Sequence, residues 1–238
     1  MATRTLLPFP RASWWFLALL AVAFLAFWPI YVSKVTRVRE VYVHLHTAGV
    51  VVWMAMLISQ PLLVQRGRGR LHRRLGGLAW FLMPYIAITS ILLAHSRFRA
   101  MDAVTFARDG YSLYLPLVAV FLFMLCAGLA LRYRRDMQIH ARFMIATALP
   151  LIDPIMARFL FFYTPVPADP VVYPLIGYGF TDCVLALLIW LERDAKRGRW
   201  VFPMLLGVFA TAHIGWFTLA RTQAWSSFST WFRDLPLT

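Results

Sequence analysis

Three ionisable residues stand inside long apolar stretches of this sequence: Asp153, Arg158 and Asp182. A charge at bilayer depth costs roughly 2.5–3.5 kcal/mol on insertion scales, so such residues face a bundle interior and find partners there. Acids so placed load and release protons, and an arginine among them holds an anionic group or sets their protonation through its charge. The three are therefore the candidate catalytic groups. At a rise of roughly 1.5 Å per residue, Asp153 and Asp182 reach similar depths, with His213 close to the same level and Arg158 farther toward the outside. Asp153 and Arg158 are five residues apart, a spacing that turns them away from each other on a regular helix. Pro150 and Pro154 bracket Asp153, however, and prolines free carbonyls and bend helices. An acid at such a bend recurs in ion and substrate sites. The competing reading is a buried Asp182–Arg158 or Asp153–Arg158 pair that only fixes helix packing, and both readings stay open.

Histidines supply the second set of candidates. Two imidazoles from different helices at one depth suit a haem iron or a metal such as copper or zinc. The candidate cofactor-binding residues are His46, with His95 or His213, toward the outer side, and the pair His72 and His140 at the inner side. A tight metal site asks for further ligands, which Asp153 or Asp182 would supply only from adjacent helices. No particular metal is indicated. His44 is expected to be an interfacial hydrogen-bonder. His46, Trp53 and Gln60 recur every seven residues and share a helix face, expected to look inward. Nucleophile elbows, phosphate-binding loops, the zinc-protease H-E-x-x-H and dinucleotide fingerprints are missing. Cys126 and Cys183 lie in apolar blocks without CxxC spacing and read as small buried hydrophobes.

The elements that must position these residues are set by composition. Of 238 residues, 61% are hydrophobic and 14% charged, well away from the quarter charged that soluble domains carry. The mean hydropathy is +0.67. The excess falls in blocks of about twenty residues, the length that crosses a hydrocarbon core roughly 30 Å thick. These predict an all-α polytopic transmembrane bundle of seven helices forming a single domain over 1–238. The spans fall near Trp14–Val32, Tyr42–Val64, Leu75–Ala94, Leu113–Leu131, Phe143–Phe162, Val172–Leu191 and Val201–Ala220. The first block lacks a good cleavage site after it and reads as an uncleaved helix. Residues 221–238 read as a short interfacial tail, with Trp225–Phe232 as its amphipathic part.

The net charge of +14 sits in short runs between the apolar blocks, which argues for topology signals and lipid headgroups and against nucleic acid. Fifteen basic residues, among them Arg4, Arg11, Arg66–Arg74, Arg132, Arg142 and Lys196, fall on one side, and eight on the other. Positive residues stay in the cytoplasm, so the N-terminus is expected inside and the C-terminus outside. The bilayer is the one partner this pattern implies. A quinone or other small ligand, a second copy of the chain, or a membrane-complex partner stay open.

Gln60-Pro61 followed by Leu71-His72-Arg73-Arg74-Leu75-Gly76 resembles a group of uncharacterised bacterial multi-pass membrane proteins with a His-Arg-x-x-Gly signature at a cytoplasmic helix start. Ile139-His140-Ala141-Arg142-Phe143-Met144 resembles their second histidine element, with Ala141 where Arg is expected. The resemblance covers about residues 40–165. It implies a bacterial cytoplasmic membrane location and singles out His72 and His140. A weaker likeness is to b-type transmembrane cytochromes, which place two haem-binding histidines on one helix. Here His72 and His95 bracket the third span instead. The leading expectation is a redox protein that holds haem b, a quinone or a metal within the bundle and passes electrons. The alternatives are a proton-coupled small-solute carrier and a non-catalytic assembly or scaffold subunit.

Overall fold

The computed structural model describes Phe9, residues 11–167, Asp169 and residues 171–238. Arg4 of the basic set lies outside the described residues, as do Ala168 and Pro170 between the fifth and sixth expected spans. Eleven α-helices follow in order among them: α1 Ala12–Phe27, α2 Val41–Gln65, α3 Gly69–Gly76, α4 Ala79–Arg99, α5 Ala103–Asp109, α6 Tyr114–Arg132, α7 Met137–Ala146, α8 Ile152–Tyr163, α9 Val172–Leu191, α10 Val201–Phe217 and α11 Gln223–Asp234. No strand occurs among the described residues.

Six helical stretches are long and apolar enough to cross a membrane: Val41–Gln65, Gly69–Arg99, Ala103–Arg132, Met137–Tyr163, Val172–Leu191 and Val201–Arg221. The chain is therefore built as a multi-pass membrane protein. The seventh expected span does not reach that length. α1 has 16 residues and stops at Phe27, ahead of Trp28-Pro29. Pro29 has no amide hydrogen to offer the Leu25 carbonyl, and the Trp28 amide bonds to that carbonyl instead, so the regular ladder is interrupted there. A helix of that length rises about 24 Å, short of a core roughly 30 Å thick.

Polar side chains fix where several helices begin. Asp102 accepts from the Val104 and Thr105 amides and caps α5; Asp136 accepts from Gln138 and Ile139 and caps α7. Asp169 accepts from Val171 and Val172 just ahead of α9, and Thr222 accepts from Trp225 at α11. Each satisfies backbone donors that a helix start leaves open. The Thr105 amide and hydroxyl hold the Asp102 carboxyl below its usual range, and the Val172 and Val171 amides do the same for Asp169. The support these carboxylates give the fold is present above the ordinary acid range and lost as pH falls through their lowered values.

The interior divides about α6. On one side Trp53, Met56 and Leu57 of α2 and Leu82 and Ile86 of α4 enclose Phe123 and Ala127 of α6, with Phe16 of α1 joining them. On the other, Leu122 and Cys126 of α6 pack with Phe143 of α7, Ile152 of α8, Leu185 of α9 and Phe209 of α10. Large apolar side chains also face outward, among them Phe81, Ile88, Leu175, Leu187 and Ile214. Helices apolar on both faces suit a bundle surrounded by lipid, in which fit between helices rather than water removal holds the interior together.

The fifth span is the one that bears most on function. α7 and α8 are joined by a 3₁₀ turn at Leu149–Leu151, so the span tightens where Pro150 and Pro154 flank Asp153. α11 folds back on the bundle: Phe232 packs with Ala94 and Phe98 of α4, and the Trp225 indole donates to the Tyr111 carbonyl.

Candidate functional site

α9 and α10 pack along each other and bring Asp182 and His213 together. The His213 Nδ1 lies 3.1 Å from both carboxylate oxygens of Asp182 and hydrogen-bonds to Oδ2. The imidazole is buried, whereas the Asp182 side chain keeps 30% of its surface exposed. Tyr178, one turn before Asp182 on α9, stacks its ring on His213 with centroids 4.1 Å apart and planes 12° from parallel. Phe209, one turn earlier on α10, closes the edge of the imidazole at 5.9 Å. The ring is thereby held in one orientation between two aromatic neighbours.

Asp153 approaches this group from α8. Its Oδ1 rests against the backbone of Gly177, so closely that any side chain there would overlap the carboxyl. Gly177 is thus the close-approach residue that lets α8 and α9 pack with an acid between them. The Asp153 Oδ1 is buried with no hydrogen-bond partner, and the carboxyl lies within electrostatic reach of Tyr178. Asp153, Tyr178, His213 and Asp182 therefore form one neighbourhood built from three helices.

Arg158 stands beside that neighbourhood and outside its hydrogen bonds. Its side chain runs back along α8, where Nη1 donates to the Pro154 carbonyl at 2.9 Å, and the guanidinium lies 4.6 Å from the Phe27 ring centre of α1. Nε is buried without a partner. Its charge reaches Asp153 and His46. Among the described residues no ion pair joins Arg158 to Asp153 or to Asp182, so neither packing pair weighed from sequence is formed.

The fate of the other acids sharpens the point. Glu40 faces Arg97 and accepts from Ser96; Asp109 is held by Arg108; Asp136 caps α7 and meets Arg197. Glu192 binds Arg142, Asp194 faces Arg193 and Asp234 faces Arg233, while Asp102 caps α5 and Asp169 accepts from the Val171 and Val172 amides. Among the described residues only Asp153 and Asp182 have neither an arginine or lysine partner within ion-pair distance nor backbone amides that donate to them.

The candidate histidines go to separate places. His46 Nδ1 lies 3.0 Å from Ser90 Oγ on α4. His95 is fully buried, with Nδ1 2.7 Å from the Thr238 hydroxyl and its ring against Phe232. The outer combinations His46–His95 and His46–His213 are thus divided among Ser90, Thr238 and Asp182. His72 and His140 are near enough for their charges to interact, and His140 Nδ1 donates to the Ala130 carbonyl at 2.8 Å. His44 is engaged at both nitrogens, with the Tyr31 hydroxyl and the Val38 carbonyl. The face carrying Trp53 and Gln60 looks inward, at 1% and 8% exposure, and Trp53 Nε1 donates to Thr147. Among the described residues no three of His, Cys, Asp and Glu gather as a metal-ligating group.

Two features escape sequence reasoning. Arg142, counted with the basic flanks, is buried: it pairs with Glu192 at the end of α9 and donates to the Gln138 carbonyl. Gly198 lies against that guanidinium with φ at +76°, a conformation that favours glycine. A glutamate fifty residues away gives no local signal. Tyr178 carries no signal of its own in the sequence, although its position one turn before Asp182 is a helix-face relation that spacing does reveal.

No protein-family model, curated protein or solved structure matches this chain.

Proposed function

We propose that the protein is a proton-coupled carrier of a small solute in a bacterial cytoplasmic membrane, and that Asp153, Asp182 and His213 exchange its proton. The observation that carries this reading is the pairing of Asp182 with His213 beside Asp153, a carboxyl whose buried oxygen has no partner. A buried polar group left unmade costs about 1–3 kcal/mol, more when charged, so an acid kept there without a partner has a use other than packing. A proton on Asp153 takes away the charge, the part that makes the unmade hydrogen bond most costly. Its transfer toward His213 and Asp182 moves charge from α8 to the α9–α10 pair across the Tyr178 ring. Arg158, held by its own helix and free at Nε, supplies a positive charge beside the acids and meets an anionic group of the solute. The bend between α7 and α8 gives this span a place to flex.

The same reading takes α1 as a seventh span with the N-terminus in the cytoplasm, supported by the excess of arginine in the connections α2–α3, α6–α7 and α9–α10. Labelling of single cysteines placed at Arg11 and Ser227, both exposed, in a chain without Cys126 and Cys183, from opposite sides of the membrane tests it.

The functional test is proton flux into proteoliposomes carrying an interior pH dye. Asp153→Asn and Asp182→Asn are each expected to slow the flux at least about tenfold, a loss of about 1.4 kcal/mol in barrier terms. Flux that survives both substitutions ends the reading.

A further inference from the structure

A second concentration of polar groups lies apart from the proposed proton centre, in the turn that joins α9 to α10. There Arg193, Asp194, Lys196, Gly198, Arg199 and Trp200 line an open cleft of about 600 Å³. Gly198, with φ at +76°, turns the chain between the two cations Lys196 and Arg199. The charges of the cleft are unbalanced. Asp194 faces Arg193 at 3.6 Å, which leaves no acid of the lining for the other two cations. Lys196 and Arg199 have no carboxylate within ion-pair distance among the described residues, and Arg199 donates only to the Arg193 carbonyl, at 3.3 Å. An adjoining hollow of about 380 Å³ shares Lys196, but its other cations are matched, Arg142 by Glu192 and Arg197 by Asp136 at 2.7 Å. Unmatched positive charge therefore collects in the larger cleft. That cleft opens where the apolar surface ends. The α9 span stops at Leu191, and Leu187, Trp190 and Leu191 face outward in its last turns. The Arg193 guanidinium lies 4.7 Å from the Trp190 ring centre, so one wall of the cleft adjoins this apolar face. Trp200, also exposed, stands in the lining where a headgroup-level tryptophan belongs.

We propose that this cleft binds the phosphate ester of an anionic phospholipid headgroup, with the acyl chains against Leu187, Trp190 and Leu191. Arginine and lysine donors match phosphate oxygens, and Lys196 and Arg199 have their charge free for the purpose. Phosphatidylglycerol carries one net negative charge beside neutral hydroxyls. Phosphatidylcholine brings a quaternary ammonium that the same cations repel. A free phosphate would satisfy the cations and leave the apolar face unused, so the lipid is the better-matched source. The bias of positive residues toward one side of a membrane asks for charge alone, whereas a cleft joined to an apolar face asks for a class of lipid. The cleft shares no residue with the Asp153, Asp182 and His213 group, so either assignment stands or falls without the other.

The test is native mass spectrometry and thermal unfolding of the purified chain in detergent, with phosphatidylglycerol, phosphatidylcholine or glycerol 3-phosphate added. Phosphatidylglycerol is expected to stay bound and to raise the unfolding temperature at concentrations at least about tenfold below those phosphatidylcholine needs. Lys196→Gln with Arg199→Gln should weaken phosphatidylglycerol binding at least about tenfold, since two basic contacts are lost. Both side chains are exposed, and Lys196→Gln alone stands in if the pair fails to fold. Arg66→Gln with Arg68→Gln removes the same charge from exposed positions outside the cleft, and should change binding less than about twofold at physiological salt. Wild-type protein that retains no phosphatidylglycerol, or retains the two lipids equally, overturns the proposal. So do equal losses in the two double variants. Glycerol 3-phosphate that protects as well as the lipid overturns it too, and makes the ligand a soluble phosphate ester.

Discussion

Two groups of buried charge in this bundle are built on opposite principles. Near one end, Arg142 is 1% exposed, and its guanidinium is met by the Glu192 carboxylate, the Gln138 carbonyl and the Gln138 side-chain oxygen. At the proposed proton centre, Asp153 has a buried oxygen with no partner, Arg158 has a buried nitrogen with none, and Asp182 relies on a single histidine. A charge whose hydrogen-bonding capacity is filled is committed to holding structure. One left short retains capacity for a proton or a ligand. The comparison therefore predicts that substitutions in the first group damage the fold, and that substitutions in the second damage activity while sparing the fold.

The largest effect is expected at the filled group. Arg142→Ala leaves Glu192 buried and unpaired, and breaking such a pair costs about 3–5 kcal/mol. Thermal unfolding in detergent, followed by size-exclusion chromatography, should show a large drop. The double variant Arg142→Met, Glu192→Leu should recover much of it, because an apolar replacement for both partners leaves no stranded charge. If the single variant unfolds no earlier than wild type, the structural half of the comparison is wrong.

Asp153→Asn probes the other half with the opposite signature. It takes away a carboxyl that has no partner at bilayer depth, so the unfolding temperature should hold or rise while proton flux falls at least about tenfold. Loss of stability and flux together would place Asp153 with the structural charges.

How much of this contrast could be read from sequence depends on the range of the interaction. Six of the seven apolar blocks correspond to the six long apolar stretches, because a twenty-residue run needs no partner to be recognised. α1 falls short because Pro29 lies inside the block, where average hydropathy hides it. Asp182 and His213 were set at one level by counting rise along each helix, which is local arithmetic; that α9 and α10 are neighbours is not, and only packing makes the two side chains touch. Arg142 defeats the same arithmetic. Its position suggests a solvated flank, and its burial depends on Glu192 and on the turn at Gly198, which belong to another part of the chain. Gln60 was legible as inward-facing from its spacing with Trp53, but the lack of a partner is a property of the whole neighbourhood.

A smaller effect separates position from chemistry within the proposed proton centre. Gly177→Ala keeps every ionisable group and adds one methyl where the Asp153 carboxyl rests. Overpacking of this kind costs about 1–3 kcal/mol, and the Asp153 carboxyl must give way, since its Oδ1 and Cγ lie where the methyl would go. Flux should fall with it, and Gly177→Ser should do no better. If Gly177→Ala lowers the unfolding temperature and leaves flux intact, the closeness of Asp153 to α9 matters to packing alone.

The smallest expected change lies at the cap shared by the filled group's own helix. Asp136 accepts from the Gln138 and Ile139 amides at the start of α7 and meets Arg197 at 2.7 Å. Asp136→Ala should cost about 1 kcal/mol, the usual worth of an N-cap, since the exposed ion pair adds little. Asp136→Asn keeps a capping oxygen and loses the charge, so it should restore most of that stability. If the asparagine is as costly as the alanine, the Arg197 pair rather than the cap holds this end of α7. The contrast between filled and unfilled charge would then extend to a side chain that lies close to the surface.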